Sequence, residues 1–126
     1  MNFEVVRPDN FPLGRLPFSP AIASNGFLFV SGQASTDELG QIVSDTFAGE
    51  FRRTMDNIKK ILDARGLSLA NVVQVRSYVQ NSDYLGEYNQ LYKEYFKPPY
   101  PARTTLVNCL GTAIKFEMDV VAAEGG

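Results

Sequence analysis

Two charged residues stand out by their surroundings. Arg103 follows Pro98-Pro99-Tyr100-Pro101-Ala102, a lead-in whose ring-restricted backbone fixes where a strand begins. Its guanidinium presents a planar fork that matches a carboxylate. The plainer reading is a structural ion pair or a solvated strand end. Glu117 lies in Lys115-Phe116-Glu117-Met118-Asp119-Val120. Alternation there puts Phe116, Met118 and Val120 on one face and Lys115, Glu117 and Asp119 on the other. That second face is either solvated or carries a carboxylate into a pocket. If the last two strands pair, the Arg103 cation can approach and neutralise Glu117.

Other candidates are weaker. Ser31-Gly32 follows an apolar run and offers a hydroxyl, but no base is available to activate it. A turn is the simpler role, and Gly32 also permits close approach of the backbone to a ligand. Cys109, inside Leu106-Val107-Asn108-Cys109-Leu110, reads as a small buried hydrophobe in a strand.

What is missing narrows the chemistry further. The 126 residues contain no His and one Cys. This excludes Ser–His and Cys–His nucleophile systems, an imidazole zinc site, an internal disulfide and any CxxC pair. The reading is therefore metal: none, with chemistry left to Arg, Asp, Glu, Ser, Thr or Tyr. Twelve basic against fourteen acidic residues, net −2, give no electrostatic footprint for nucleic acid. No apolar run reaches membrane-spanning length, and Met1-Asn2-Phe3-Glu4 lacks the basic start of a secretory signal. The expectation is a cytoplasmic protein of one domain, residues 1–126. A chain of this size buries about two-thirds of its unfolded surface, enough for a core without staples.

The elements that must position these residues follow from pattern. Asn25-Gly26, between two apolar runs, predicts a type I′ hairpin. Phe3–Val6 forms a short strand ahead of it, Ser31-Gly32-Gln33 interrupts the pattern after it, and Asp37–Gly40 reads as a turn before a further short strand at Gln41-Ile42-Val43. Phe47, Phe51, Met55, Ile58 and Leu62 make a helical stripe capped at Asp45 or Thr46 and ended by Gly66. Val72–Val79 is β-branched and strand-like. A second helix runs from about Ser82 to Phe96, with Tyr84, Tyr88, Leu91, Tyr92 and Tyr95 on one side, and Pro98-Pro99 stops it. Arg103–Leu110 and Lys115–Ala123 are the last strands. The order predicts an α+β fold with a mixed sheet. Phe27, Leu28, Phe29 and Val30 are all apolar, so their strand needs cover on both faces. Helices supply one cover and a second copy of the chain is the simplest source of the other.

Several segments in the right order resemble the reactive intermediate deaminase family, RidA/YjgF type. They are Pro17-Phe18-Ser19-Pro20-Ala21, Asn25 through Gln33, Arg53-Thr54-Met55-Asp56-Asn57-Ile58, Asn89 through Phe96, Pro101-Ala102-Arg103-Thr104-Thr105 and Phe116-Glu117-Met118. The resemblance implies a chorismate-mutase-like α+β fold, with two helices packed on one face of the sheet. It also implies a homotrimer with sites between subunits. The implied activity is hydrolysis of enamines and imines of small amino acids, 2-aminoacrylate among them, to 2-oxo acids and ammonia. The ligand is a small imino acid or 2-oxo acid, and the implied cofactors are none.

By position, the resemblance makes Arg103 the carboxylate clamp and Glu117 the residue that orients water. Ser31 and Gly32 line the cleft, with Asn89 near it. Phe18 stands where many members carry Tyr, and Thr105 where many carry Cys. An imine is already electrophilic, so position and charge suffice for this chemistry. The Glu117 pKa is set by two opposed effects, burial raising it and Arg103 lowering it. A rival reading is a non-catalytic trimer that binds small carboxylates, in keeping with the hydroxyl missing at Phe18. Ribonuclease activity, also linked to this family, is opposed by the acidic balance and the absence of His.

Overall fold

The computed structural model describes residues 2–12 and 16–125. Its strands are β1 (Phe3–Val6), β2 (Ala21–Ser24), β3 (Phe27–Ala34), β4 (Val72–Val79), β5 (Ala102–Val107) and β6 (Phe116–Ala123). Helix α1 spans Phe47–Asp63 and α2 spans Leu85–Tyr95. The strands form one sheet in the order β1-β2-β3-β6-β4-β5. Only β4 and β5 run parallel, joined through α2 as a crossover requires. The α+β expectation holds.

Local chemistry explains these elements. Asn25 and Gly26 take φ of 52° and 82°, the pair of positive values a type I′ turn needs, and this sets the β2–β3 register. Thr46 caps α1, its side chain accepting from Gly49 N at 3.1 Å. Phe47, Phe51, Met55, Ile58 and Leu62 are buried as their spacing predicts. Gly66, at φ 72°, turns the chain so that Leu67 N reaches Leu62 O at 2.9 Å. The second helix begins later than its pattern indicates. Asn81 caps a 3₁₀ turn at Ser82–Tyr84, and α2 proper starts at Leu85. Tyr88, Leu91 and Tyr92 are its buried stripe.

Both helices pack on the sheet face that carries Phe116. Phe51 of α1 and Tyr88 of α2 lie 4.7 and 5.7 Å from that ring, centroid to centroid. The fully buried Glu50 locks α1 to the start of β6. It accepts from Lys115 N at 2.9 Å, Lys115 Nζ at 3.2 Å and Asp45 N at 3.2 Å. This fixes β6 two residues before Glu117.

Four expectations need correction. Strand β3 does not stop at Val30. It continues to Ala34 through a register shift between Val30 and Gln33, a bulge that absorbs Ser31-Gly32. Gln41–Val43 forms no strand, only a bridge between Ile42 and Thr36. Strands β5 and β6 are not neighbours, because β4 lies between them. Strand β5 ends at Val107, so Cys109 falls beyond it and is exposed.

The opposite face of the sheet is bare in the single chain. Phe27 is 40% and Phe29 47% exposed, alongside exposed Phe3, Val5 and Leu106. Among the described residues no helix is long and apolar enough to cross a membrane.

Candidate active site

Arg103 sits near the start of the edge strand β5, on the helix-covered side. Register places it opposite Val75, level with Val120 on β6. Its Nη1 donates to Asn89 Oδ1 at 3.0 Å. Its guanidinium lies 5.1 Å from the Tyr88 ring centroid and 4.8 Å from that of Tyr92. A cleft of about 300 Å³ opens here, lined by Asn89, Tyr92, Lys93, Tyr100, Pro101 and Arg103. Among the described residues Arg103 has no carboxylate partner, whereas Arg52, Arg53 and Arg76 each have one and Arg65 has two. A cation left unpaired in a cleft is available to an anion.

Thr105 projects on the same side. Its hydroxyl is 3.4 Å from Tyr88 Oη, which donates to Ser77 Oγ at 2.7 Å. Burial pushes the Tyr92 hydroxyl up to about 12, helped by Tyr88 and opposed by Arg103.

Glu117 occupies different surroundings. It lies on β6 opposite Ala34 of β3 and Tyr78 of β4, on the bare face. It is half-buried and makes no hydrogen bond or ion pair among the described residues. The carboxylate packs so closely against Gly32 that a Cβ there would overlap Oε2. The glycine is therefore required for clearance. The donors nearest along the strands are already committed. Asp119 accepts from Arg76 Nε and Tyr78 Oη, each at 2.8 Å. Burial first, and the Asp119 charge second, raise the Glu117 pKa above its ordinary value.

Ser31 and Phe18 belong to this second group. Ser31 Oγ donates to Ser19 O at 2.6 Å and Ser31 N to Pro20 O at 2.9 Å, lashing the 18–20 segment to β3. Phe18 is exposed. With Gly32, Gln33 and Pro20 it lines a second cleft of about 410 Å³.

The candidates thus form two groups, and one chain does not unite them. Glu117 is three residues along and two strands away from Arg103, roughly 14 Å, on the opposite face. The expected approach of Arg103 to Glu117 across a β5–β6 pair does not occur. Among the described residues no cluster of His, Cys, Asp and Glu is arranged to hold a metal ion.

The profile of the family described as Endoribonuclease L-PSP matches residues 10–124. A RutC family protein of Pyrococcus horikoshii is 35% identical over 121 residues, covering 94% of this chain and 96% of its own. The chain belongs to the RidA/YjgF family. Another relative is the human protein named 2-iminobutanoate/2-iminopropanoate deaminase, 32% identical over 111 residues, 86% of this chain and 81% of that one. Among solved structures, yeast Mmf1 superposes with a TM-score of 0.88 at 27% identity, over 98% of this chain and 99% of that one. RidA/YjgF membership agrees with the resemblance drawn from the motifs around Phe18, Ser31, Asn89, Arg103 and Glu117.

Sequence reasoning missed what surrounds the candidates. Tyr88 and Tyr92 read as core stripe, yet both present ring faces to Arg103. The available signal was that Tyr92 lies four residues from Tyr88 and three from Asn89, the spacings that make helix neighbours. Asp119 read as polar-face filler, yet it takes the donors beside Glu117.

Proposed function

We propose that the protein is an imine/enamine deaminase that converts small 2-imino acids to 2-oxo acids and ammonia. It works as a homotrimer whose sites lie between subunits, in the cytoplasm and with no cofactor. Arg103 of one copy grips the substrate carboxylate, and Glu117 of a neighbouring copy handles the proton. The observation that carries this reading is the pair of half-sites. An unpaired guanidinium lies in one cleft, and a partnerless, half-buried carboxylate stands on the other face beside exposed Phe27 and Phe29. The bare face supplies the apolar surface by which copies associate. The name shared by the human relative and its bovine counterpart, 31% identical, 2-iminobutanoate/2-iminopropanoate deaminase, supports the same chemistry.

The residues fit each step. Two N–H groups of Arg103 hold the carboxylate and fix the C=N carbon. Glu117 takes a proton from water as its oxygen bonds to that carbon, giving a tetrahedral carbinolamine. That proton passes to the nitrogen, the hydroxyl proton follows it there by way of Glu117, and the C–N bond breaks to release ammonia as C=O forms. Substrate imine plus water equals 2-oxo acid plus ammonia. A raised Glu117 pKa suits a group that both accepts and returns a proton. Ser31, Gly32 and Phe18 border the Glu117 side, Asn89 and Thr105 the Arg103 side.

The test is ammonia release from freshly generated 2-iminobutanoate and 2-aminoacrylate, comparing wild type with Arg103→Ala. A rate no greater than buffer, or an unaffected variant, overturns the reading. Phe18, which presents no hydroxyl to the cleft, favours the second reading, a non-catalytic carboxylate-binding trimer. That reading expects calorimetric binding of 2-oxo acids with no turnover.

A further inference from the structure

We propose that Tyr92 and Tyr88 are positioning residues for Arg103, forming an aromatic seat that holds its guanidinium without neutralising it. The inference rests on the deaminase reading for what Arg103 binds, and on geometry for how Arg103 is held.

A long, exposed arginine on an edge strand loses side-chain entropy when it is fixed for a ligand. The remedy used for the other four arginines named above, a carboxylate partner, would occupy the very N–H groups the substrate needs. Ring faces do not. The ring quadrupole attracts the cation from below and offers no in-plane acceptor, so the guanidinium edge stays free. Arg103 lies within 5.1 Å of both centroids, and only one of its nitrogens is committed, to the Asn89 amide oxygen.

Both rings are themselves immobile. Tyr88 is fully buried, tethered through its hydroxyl to Ser77 of β4 and packed edge-on against Phe51 at 6.1 Å. Tyr92 is 4% exposed and stacked on Phe96 at 4.5 Å. The tether from Tyr88 to β4 sets the seat relative to the strand beside β5, so ring and arginine share one frame. The Tyr92 hydroxyl, in contrast, is buried with no hydrogen-bond partner among the described residues. The seat uses its ring and not its oxygen.

That separation makes the proposal testable. The probe is 2-oxobutanoate, which binds without reacting, measured calorimetrically on the intact protein. Tyr92→Phe keeps the ring and is expected to bind within twofold of wild type, with an equal or higher Tm because an unpartnered buried hydroxyl is gone. Tyr92→Leu is expected to weaken binding about tenfold and to raise KM for imino acids more than it lowers kcat. An independent readout is the Arg103 Nε–H proton, assigned by its loss in Arg103→Lys. In wild type, ring currents from the two faces should move it upfield, and Tyr92→Leu should reverse part of that shift.

An unshifted resonance in wild type overturns the seat whether or not the leucine variant folds. So does a folded Tyr92→Leu that binds like wild type, or a Tyr92→Phe that loses as much as leucine. A wild type that neither binds a 2-oxo acid nor turns over imines sinks the deaminase reading and this inference with it. A wild type that binds while Tyr92→Leu binds equally well sinks this inference alone.

Discussion

Arg103 and Glu117 are held by opposite means on opposite faces of one sheet. Arg103 is exposed on an edge strand and steadied by rings and an amide. Glu117 is half-buried on a central strand, pressed against the backbone of Gly32, with the nearby donors given to Asp119. A cation is useful when fixed yet unneutralised; a proton-transfer carboxylate is useful when partly desolvated and free of a cation. The sheet itself keeps the two from quenching each other within a chain. The difference teaches that a fold can hold apart, each by its own means, two charges that a strand pattern alone would let meet.

The strongest way to break this comparison is complementation. Arg103→Ala and Glu117→Gln are each expected to lower turnover by about two orders of magnitude or more. If each site draws one residue from each of two copies, co-refolding the two variants in equal amounts should restore about a quarter of wild-type activity. No recovery would end the two-copy account.

Next in size is Gly32→Ala. The added carbon meets the Glu117 carboxylate, so the acid or the bulge must shift. A fall in kcat of about tenfold is expected, with about 1–3 kcal/mol lost in denaturant unfolding. An active, fully stable alanine variant would mean that the contact is slack.

A subtler test uses pH. Because the folded pKa of Glu117 is raised, the folded state holds that proton more tightly than the unfolded one. Its contribution is therefore fully present below the ordinary Glu value and lost as pH rises through the folded value. Glu117→Gln should match or exceed wild-type Tm at neutral pH, and the advantage should vanish in acid. The acid limb of wild-type turnover should lie above an ordinary Glu titration. Asp119→Asn should move it toward lower pH, since it removes the neighbouring charge. An unmoved limb would detach Asp119 from Glu117.

The smallest effect belongs to Phe18→Tyr, which returns a hydroxyl to the cleft shared with Gly32. A gain in kcat of a few fold is expected. No change would show that this chain does not use the position.

Much of the architecture was legible because it is locally encoded. Asn25-Gly26, the Thr46 cap, the Gly66 stop and the two helical stripes each act within a few residues. The order of strands was not legible, since nothing local says that β6 inserts between β3 and β4. That gap left the β5–β6 pairing open and, with it, the meeting of Arg103 and Glu117 that the strand order excludes within one chain. Strand β3 was cut short for a related reason: Ser31-Gly32 looks like a break until a partner strand shows it to be a bulge. Cys109 was misplaced because positive φ at Asn108 (61°) takes the chain out of the strand before it. The aromatic seat escaped because a tyrosine stripe reads as core whether its outer edge meets leucine or arginine.

The insertion of β6 has a further consequence for how the molecule forms. Its two flanking strands, β3 and β4, precede it in the chain, and the sheet cannot join them until residues 116–123 have been made. Nascent chains therefore spend the interval with an open slot in mid-sheet, exposing the backbone groups that invite wrong pairing. Joining the two halves of the sheet therefore waits on β6 and is paced by closing long loops, and Glu117 arrives on the strand that completes it.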